Sequence, residues 1–327
     1  MTWLTWRQHR VLFAISAGVI FAVIAWMVVV YHDYTVATHA LARCPTNTHR
    51  WGVNCNNLFG TALHVEDQAG VIRVLPWFVP SLLGVLFGAP LVAAELERNT
   101  VILAFTQGIS RSRWLVLRWV VVGTGVVALS ALLAAVSNWW FGHVDTNASA
   151  AYPSLFSPTV TRIQPGFFDV TGIVPVAYTF FAFALGTALG AFFRKVFWGG
   201  LVTVVVFIAT RVSFEHWVRP HILVANFRTG TALYSPGSGS WIIGFGYRHI
   251  PGSHLPSSAA YVNNSINDCL RPNESPSCLA SHGIQFGEFY QPASHYWALQ
   301  WGEAAAYVAA AAALFGLTVW AVRRWRA

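Results

Sequence analysis

Six stretches of this chain stay apolar for long enough to cross about 30 Å of hydrocarbon, which removes most folds from consideration. In lipid the backbone must satisfy its own hydrogen bonds, so runs of this length are read as helices. They lie at about 11–31, 71–94, 114–140, 167–191, 197–217 and 299–321. Composition agrees. The chain is 55% hydrophobic and 10% charged, whereas a soluble domain carries about 25% charged residues. The expected fold is an all-α integral membrane protein, one transmembrane domain over residues 1–327 with six transmembrane helices.

Charge placement orients those helices. Arg7, Arg10, Arg98, Arg111, Arg113, Arg118, Arg194, Lys195, Arg323, Arg324 and Arg326 fall in or beside the termini and the two short loops, 95–113 and 192–196. The long loops 32–70, 141–166 and 218–298 hold the other basic residues far more thinly. The excess of positive charge predicts cytoplasmic N- and C-termini, with the long loops outside, in a multi-pass protein of the cell membrane. The first apolar run is longer than a signal-peptide core, and Ala40-Leu41-Ala42 lies too far beyond it to be its cleavage site. Trp3 and Trp6 share a helical face with Arg7 and Arg10, so residues 1–10 are expected to form an interfacial helix ahead of span one.

The formal charge of +8 does not mark a nucleic-acid binder, because the basic residues form no single face. Nineteen of the twenty are arginine, the usage of a GC-rich genome. The one lysine, in Phe193-Arg194-Lys195-Val196, cannot build the Gly-Lys-Ser/Thr of a phosphate-binding loop. An ATPase of that type is expected on a separate polypeptide.

Cys44, Cys55, Cys269 and Cys278 all fall in the predicted outside loops, the usage of disulfides in an oxidising compartment. Three connectivities exist. The local pairs Cys44–Cys55 and Cys269–Cys278 are preferred, the second closing a short loop with two prolines. A zinc site is the competing reading, without the C-x-x-C spacing that usually marks one. Eleven of twelve histidines also lie on the outside, at irregular spacing. The segment 218–298 is large for a connection and rich in aromatics, so it is expected to be an extracellular cap, with WIIGFGY dipping into the bilayer edge. Within the spans, Gly84-x-x-x-Gly88 and Gly186-x-x-x-Gly190 allow close helix approach, within one chain or between two. Pro80 and Pro90 should bend or loosen span two.

Charges inside the apolar runs are suspects for function. Arg211 and Glu215, spaced to pair on one helical turn, and Glu303 at the start of span six are candidates for an external gate. Asp169 and Gln300 open spans four and six. Interfacial pairing or snorkelling is the plainer account of all of them.

The segment 95–113 is more specific. Glu95 and Glu97 follow directly on an apolar helix, and Asn99 can turn the chain. Val101, Ile102, Leu103 and Phe105 then form an apolar patch, and Ser110 can cap the next helix beside Arg111 and Arg113. A short surface helix with one apolar face fits a groove on a partner. A bare turn needs neither two glutamates nor such a patch.

At these residues the chain resembles the permeases of type-2 ABC transporters. Glu95, Glu97, Arg98, a turn residue, Thr100, an apolar stretch, then Ser110-Arg111 and a following helix is similar to that family's coupling region. The opening MTWLTWRQHR resembles actinobacterial, hence bacterial, members. Asn99 stands where the family commonly has Gly, and the segment before span six is much longer than usual. The resemblance implies a permease working as a dimer, with a second copy or a paralogue, on two copies of an ABC ATPase subunit. ATP and Mg would bind the ATPase, with no cofactor in this chain. The helix 101–107 would dock on the ATPase, making Glu95, Glu97, Arg98, Thr100, Leu103, Phe105, Arg111 and Arg113 the coupling residues. Spans two and five would line the path for a hydrophobic or amphipathic export substrate: a drug, a peptide or a lipid. Two other readings stand beside it. One is a sensor or assembly subunit reading an external ligand through the disulfide-bonded loops. The other is a membrane-embedded enzyme, which requires outside histidines and carboxylates to converge.

Overall fold

The computed structural model describes residues 2–44, 52–98, 110–151, 162–229, 239–250, 253, 258–269 and 276–324. Six helical segments in it are long and apolar enough to cross a membrane: Trp6–Leu41, Phe78–Glu97, Arg111–His143, Val174–Phe193, Val196–Ile222 and Ala293–Arg324. Each overlaps one of the runs read from sequence, and they are called spans one to six.

The helices outrun the bilayer at several ends. Helix α1 (Thr2–Leu41) has 40 residues, about 60 Å at 1.5 Å per residue. The expected separate interfacial helix is therefore corrected. With no glycine or proline before Gly18, nothing breaks the helix, and residues 2–10 simply begin span one. Helix α2 (Val53–Leu83) likewise starts well ahead of its apolar stretch. Much of the segment 32–70 expected as loop is thus two helix extensions, tied together by the disulfide Cys44–Cys55. Tyr34, Ala37 and Leu41 bury their side chains there, with Leu58 and Phe59 packed against the same cluster.

Span two is not a regular helix. A π turn, Gly84–Gly88, separates α2 from α3 (Ala89–Glu97). Pro90 supplies the reason. Its missing N–H leaves the Leu86 carbonyl without the usual partner and its ring crowds that carbonyl, so the turn widens. Span five repeats the device. Its first helix, Val196–Ser213, is followed by a π turn at Phe214–Val218, where the Arg219 N–H bonds to the Phe214 carbonyl. Pro220 stands two residues after this π turn, as Pro90 does after the first.

Spans three and four are α4 (Arg111–Ala151) and α5 (Val174–Phe193). Span four was expected to begin at 167, and that boundary is corrected. Gly166 and Gly172 sit at φ of +89° and +72°, left-handed values that interrupt a helix, and Pro175 opens α5 in the first turn. Span four is the most buried of the six. It meets span two backbone to backbone. A Cβ at Gly84 would stand 2.6 Å from that of Ala182, one at Gly88 2.6 Å from the Phe183 carbonyl oxygen, and one at Gly186 2.6 Å from the Gly84 oxygen. The two Gly-x-x-x-Gly pairs therefore face each other within one chain. Arg194, at φ of 56°, ends α5 in the left-handed conformation, and α6 (Val196–Ser213) leads through the second π turn into the short α7 (Arg219–Ile222).

The segment before span six corrects the all-α expectation. Strands β1 (Asn226–Thr229), β2 (Trp241–His249) and β3 (Ile284–Gln291) form an antiparallel sheet in the order β1-β3-β2. Asn226 pairs with Tyr290, and Trp241 with Gln291, with a bulge between Ile242 and Gly244. WIIGFGY is thus a strand of this sheet. Helices α8 (Ala259–Cys269) and α9 (Pro276–Ser281) lie between β2 and β3, joined by the disulfide Cys269–Cys278. Both disulfides are the local pairs preferred from sequence. Span six closes the chain as α10 (Tyr296–Arg324).

Candidate functional site

Where the sheet meets the spans, four charged side chains are buried together. Asp169 comes from the turn before α5, Arg211 from α6, Arg219 from α7 and Glu303 from α10; none is more than 2% exposed. Arg219 is the hub. Its Nε donates to Glu303 Oε2 at 2.7 Å, and one terminal nitrogen donates to Asp169 Oδ1 at 2.5 Å and Glu303 Oε1 at 2.9 Å. Arg211 lies 3.1 Å from the other Asp169 oxygen. The Tyr178 hydroxyl is 2.5 Å from Glu303 and 3.1 Å from Asp169. The Tyr178 ring also lies under the Arg211 guanidinium at 4.7 Å, and Phe168 under that of Arg219 at 4.4 Å. Two positive and two negative groups make the cluster neutral, which is what tolerates it away from water.

The scaffold that positions it is also polar. Gln300, fully buried, accepts from the Ile173 and Val174 N–H groups at 3.0 Å each, satisfying donors at the α5 N-terminus that have no partner within the helix. Its amide donates to the Phe168 carbonyl at 2.9 Å. Asn138 accepts from the Gly172 N–H at 2.8 Å, and Tyr296 donates to Thr171 at 3.0 Å. The 168–174 turn is thereby fastened to spans three and six. Gln300, Glu303 and Tyr307 form one buried stripe on α10, continuing from Tyr296.

Of the gate candidates, Arg211 and Glu303 belong to this cluster. Glu215 is half-buried beside it, and the ion-pair partner of Arg211 is Asp169. Sequence reading missed Arg219 by ending span five at 217. The signal was present: Arg211, Glu215 and Arg219 recur every four residues, the mark of a helix that continues.

At the opposite end of the spans, the coupling candidates divide. Glu95 is turned inward and pairs with Arg118 at 2.7 Å, while Arg118 also reaches Gln8 at 2.5 Å and stacks 4.8 Å over Trp114. Glu97, Arg98 and Arg113 are exposed and Arg111 is half-buried. Thr100, Leu103, Phe105 and the expected helix 101–107 lie outside the described residues.

Among the described residues the exposed histidines are spread over several elements: His32 and His39 on α1, His64 on α2, His143 on α4, His216 in the second π turn and His221 on α7. Among the described residues, the one grouping with metal-ligand geometry is Cys269, Cys278 and His282, and both of its sulfurs are committed to the disulfide.

These features define a six-span membrane protein with a sheet-bearing insert at one end and charged loops at the other. The family described as ABC-2 membrane transporter related matches residues 17–219, well over half of the 327. The chain belongs to that family, whose members are membrane subunits of transporters. The matched region runs from within span one to Arg219 in span five and holds three of the four cluster charges. No curated protein and no solved structure matches the chain.

Proposed function

We propose that this chain is the permease subunit of an ATP-driven exporter for a hydrophobic or amphipathic compound. Family membership over residues 17–219 is the observation that carries the reading. Two copies would meet in the membrane, each engaging an ABC ATPase subunit through 95–113, with ATP and Mg bound on the ATPase. Exposed Glu97 and Arg98 suit contact with such a partner, whereas Glu95 serves inside the bundle by holding span two to span three through Arg118. ATP binding would then move spans two and five, the two spans that each contain a π turn. The Asp169–Arg211–Arg219–Glu303 cluster would close the far end of the path. A switch of this kind needs the two states to differ by several kcal/mol between the ATP-bound and free forms.

The test is co-expression with a candidate ABC ATPase subunit, a separate chain that carries Gly-x-x-x-x-Gly-Lys-Ser/Thr. Glu97→Ala and Arg111→Ala should each weaken its co-purification and its permease-stimulated ATP hydrolysis, with the permease still folded. Unchanged association and turnover in both variants would remove 95–113 from the coupling role. The folded, disulfide-linked insert between spans five and six favours a second reading, a sensor of an external ligand. Ligand-dependent signalling with no associated ATPase would support it instead.

A further inference from the structure

The surface of the spans carries one groove whose shape and charge suit a particular molecule of the bilayer. It has a volume of about 510 Å³ and is lined by Val116 and Trp119 of span three, Phe180 of span four, and Ala312, Phe315 and Arg323 of span six, among others. Trp119 and Phe315 stack at 4.2 Å, with Phe180 edge-on to Trp119 at 5.2 Å. Gly316 also lines the groove, and a Cβ placed there would meet nothing within 4 Å, so its missing side chain leaves room.

The groove has a direction. Ala312 to Arg323 is eleven residues of helix, about 16 Å at 1.5 Å per residue, or one half of a hydrocarbon core about 30 Å thick. Its apolar walls therefore cover one leaflet, from mid-depth to the arginine-bearing end of span six. Among the described residues that line it, Arg323 is the only charged one. Arg324 follows, with its guanidinium 4.1 Å from the ring of Trp320, another lining residue. Among the described residues, neither arginine has a carboxylate within ion-pair distance. An acyl chain one leaflet long, ending in a negative headgroup at the level of these two arginines, complements every part of this groove.

We infer that the groove between spans three, four and six is a seat for an anionic phospholipid of the leaflet at the arginine end, with the phosphate held by Arg323. The seat is separate from the charge cluster and from the segment 95–113, and it does not depend on the transport reading. A lipid here would tie span six to span three at the end where the helices lack the sheet insert.

The test uses the full chain, purified and exchanged into mixed micelles with equimolar phosphatidylglycerol and phosphatidylcholine, with the retained lipid counted by native mass spectrometry. The wild type should retain phosphatidylglycerol in preference by about fivefold, the ratio for ~1 kcal/mol contributed by one cation at an anionic headgroup. Arg323→Gln, an exposed position, should bring that preference close to unity. Gly316→Leu, which fills the groove, should remove one retained lipid per chain while leaving Arg323 in place. Glycerol phosphate, which has the anion without the acyl chain, should not displace the lipid. Equal retention of both lipids by the wild type would overturn the proposal. So would a preference unaltered in both variants, or full displacement by glycerol phosphate, which would mean that the arginines bind phosphate without the groove.

Discussion

Arg219 shows how one side chain can hold three elements that share no sequence neighbourhood. It binds Glu303 through two nitrogens and Asp169 through one, joining α7, α10 and the turn before α5 with no exposed surface. A buried ion pair adds little net stability over a well-packed apolar pair, but removing one partner leaves a charge stranded. Arg219→Met should therefore destabilise the protein by about 3–5 kcal/mol, because one arginine, Arg211, would then face two carboxylates. Arg219→Met combined with Glu303→Leu restores neutrality and should recover much of the loss. Unfolding of Arg219→Met, of Glu303→Leu and of the double variant in mild detergent gives the coupling directly, and additive losses would show that the two residues act independently. The same scale explains Gly172, whose φ of +72° and close approach to Gln300 and the Tyr296 hydroxyl leave no place for a Cβ.

The elements of the bundle were legible where their cause is local and hidden where it is not. The runs 114–140 and 299–321 are plain because lipid demands an apolar surface all round the helix. The paired glycines of spans two and four could be read as a close contact, but that they meet each other is a property of the folded chain. The sheet was hidden for a physical reason. β1 has four residues, β2 is interrupted by Gly244 and Gly246, and β3 buries Glu288 and Gln291 while exposing Phe286, the reverse of an amphipathic strand. Asp169 was visible as a charge near a span, but the cluster it enters comes from residues up to 134 positions away, a distance no periodicity records. The π turns were half-legible, since Pro90 was expected to loosen span two, while Pro220 lay beyond the expected end of span five. Pro220→Ala restores an N–H able to bond to the His216 carbonyl, allowing a regular α turn across 214–218. Such a change would swing Arg219 around the helix by about 100° relative to Arg211, as 3.6 residues per turn require. The predicted result is loss of transport or of ATPase stimulation, with a loss of stability approaching that of Arg219→Met, because Arg219 leaves the cluster in both. Pro220→Gly, which supplies the N–H but favours the helix less, should be milder. Full activity in Pro220→Ala would show that the π turn is not needed for function.

For the whole molecule the two ends of the spans differ in chemistry, and that difference predicts sidedness. Both disulfides, the sheet and the charge cluster lie at one end. The other carries Glu97, Arg7, Arg10, Arg98, Arg113, Arg194, Lys195, Arg323 and Arg324, all exposed, so among the described exposed residues there seven arginines and a lysine face one glutamate. Short basic segments stay on the cytoplasmic side during insertion, whereas disulfides persist in oxidising compartments. The two arguments are independent, one resting on insertion and one on redox poise, and they assign the same orientation. Single cysteines introduced as Glu97→Cys or Lys195→Cys, in a chain whose four native cysteines remain paired, should react with a membrane-impermeant maleimide only after the cells are opened. Reduction of intact cells by an impermeant phosphine should expose Cys44, Cys55, Cys269 and Cys278 to the same reagent without opening them. Labelling at position 97 or 195 in unopened cells would invert the topology. It would also place 95–113 on the face where no cytoplasmic ATPase could reach it, so this one measurement bears on the orientation and on the coupling role together.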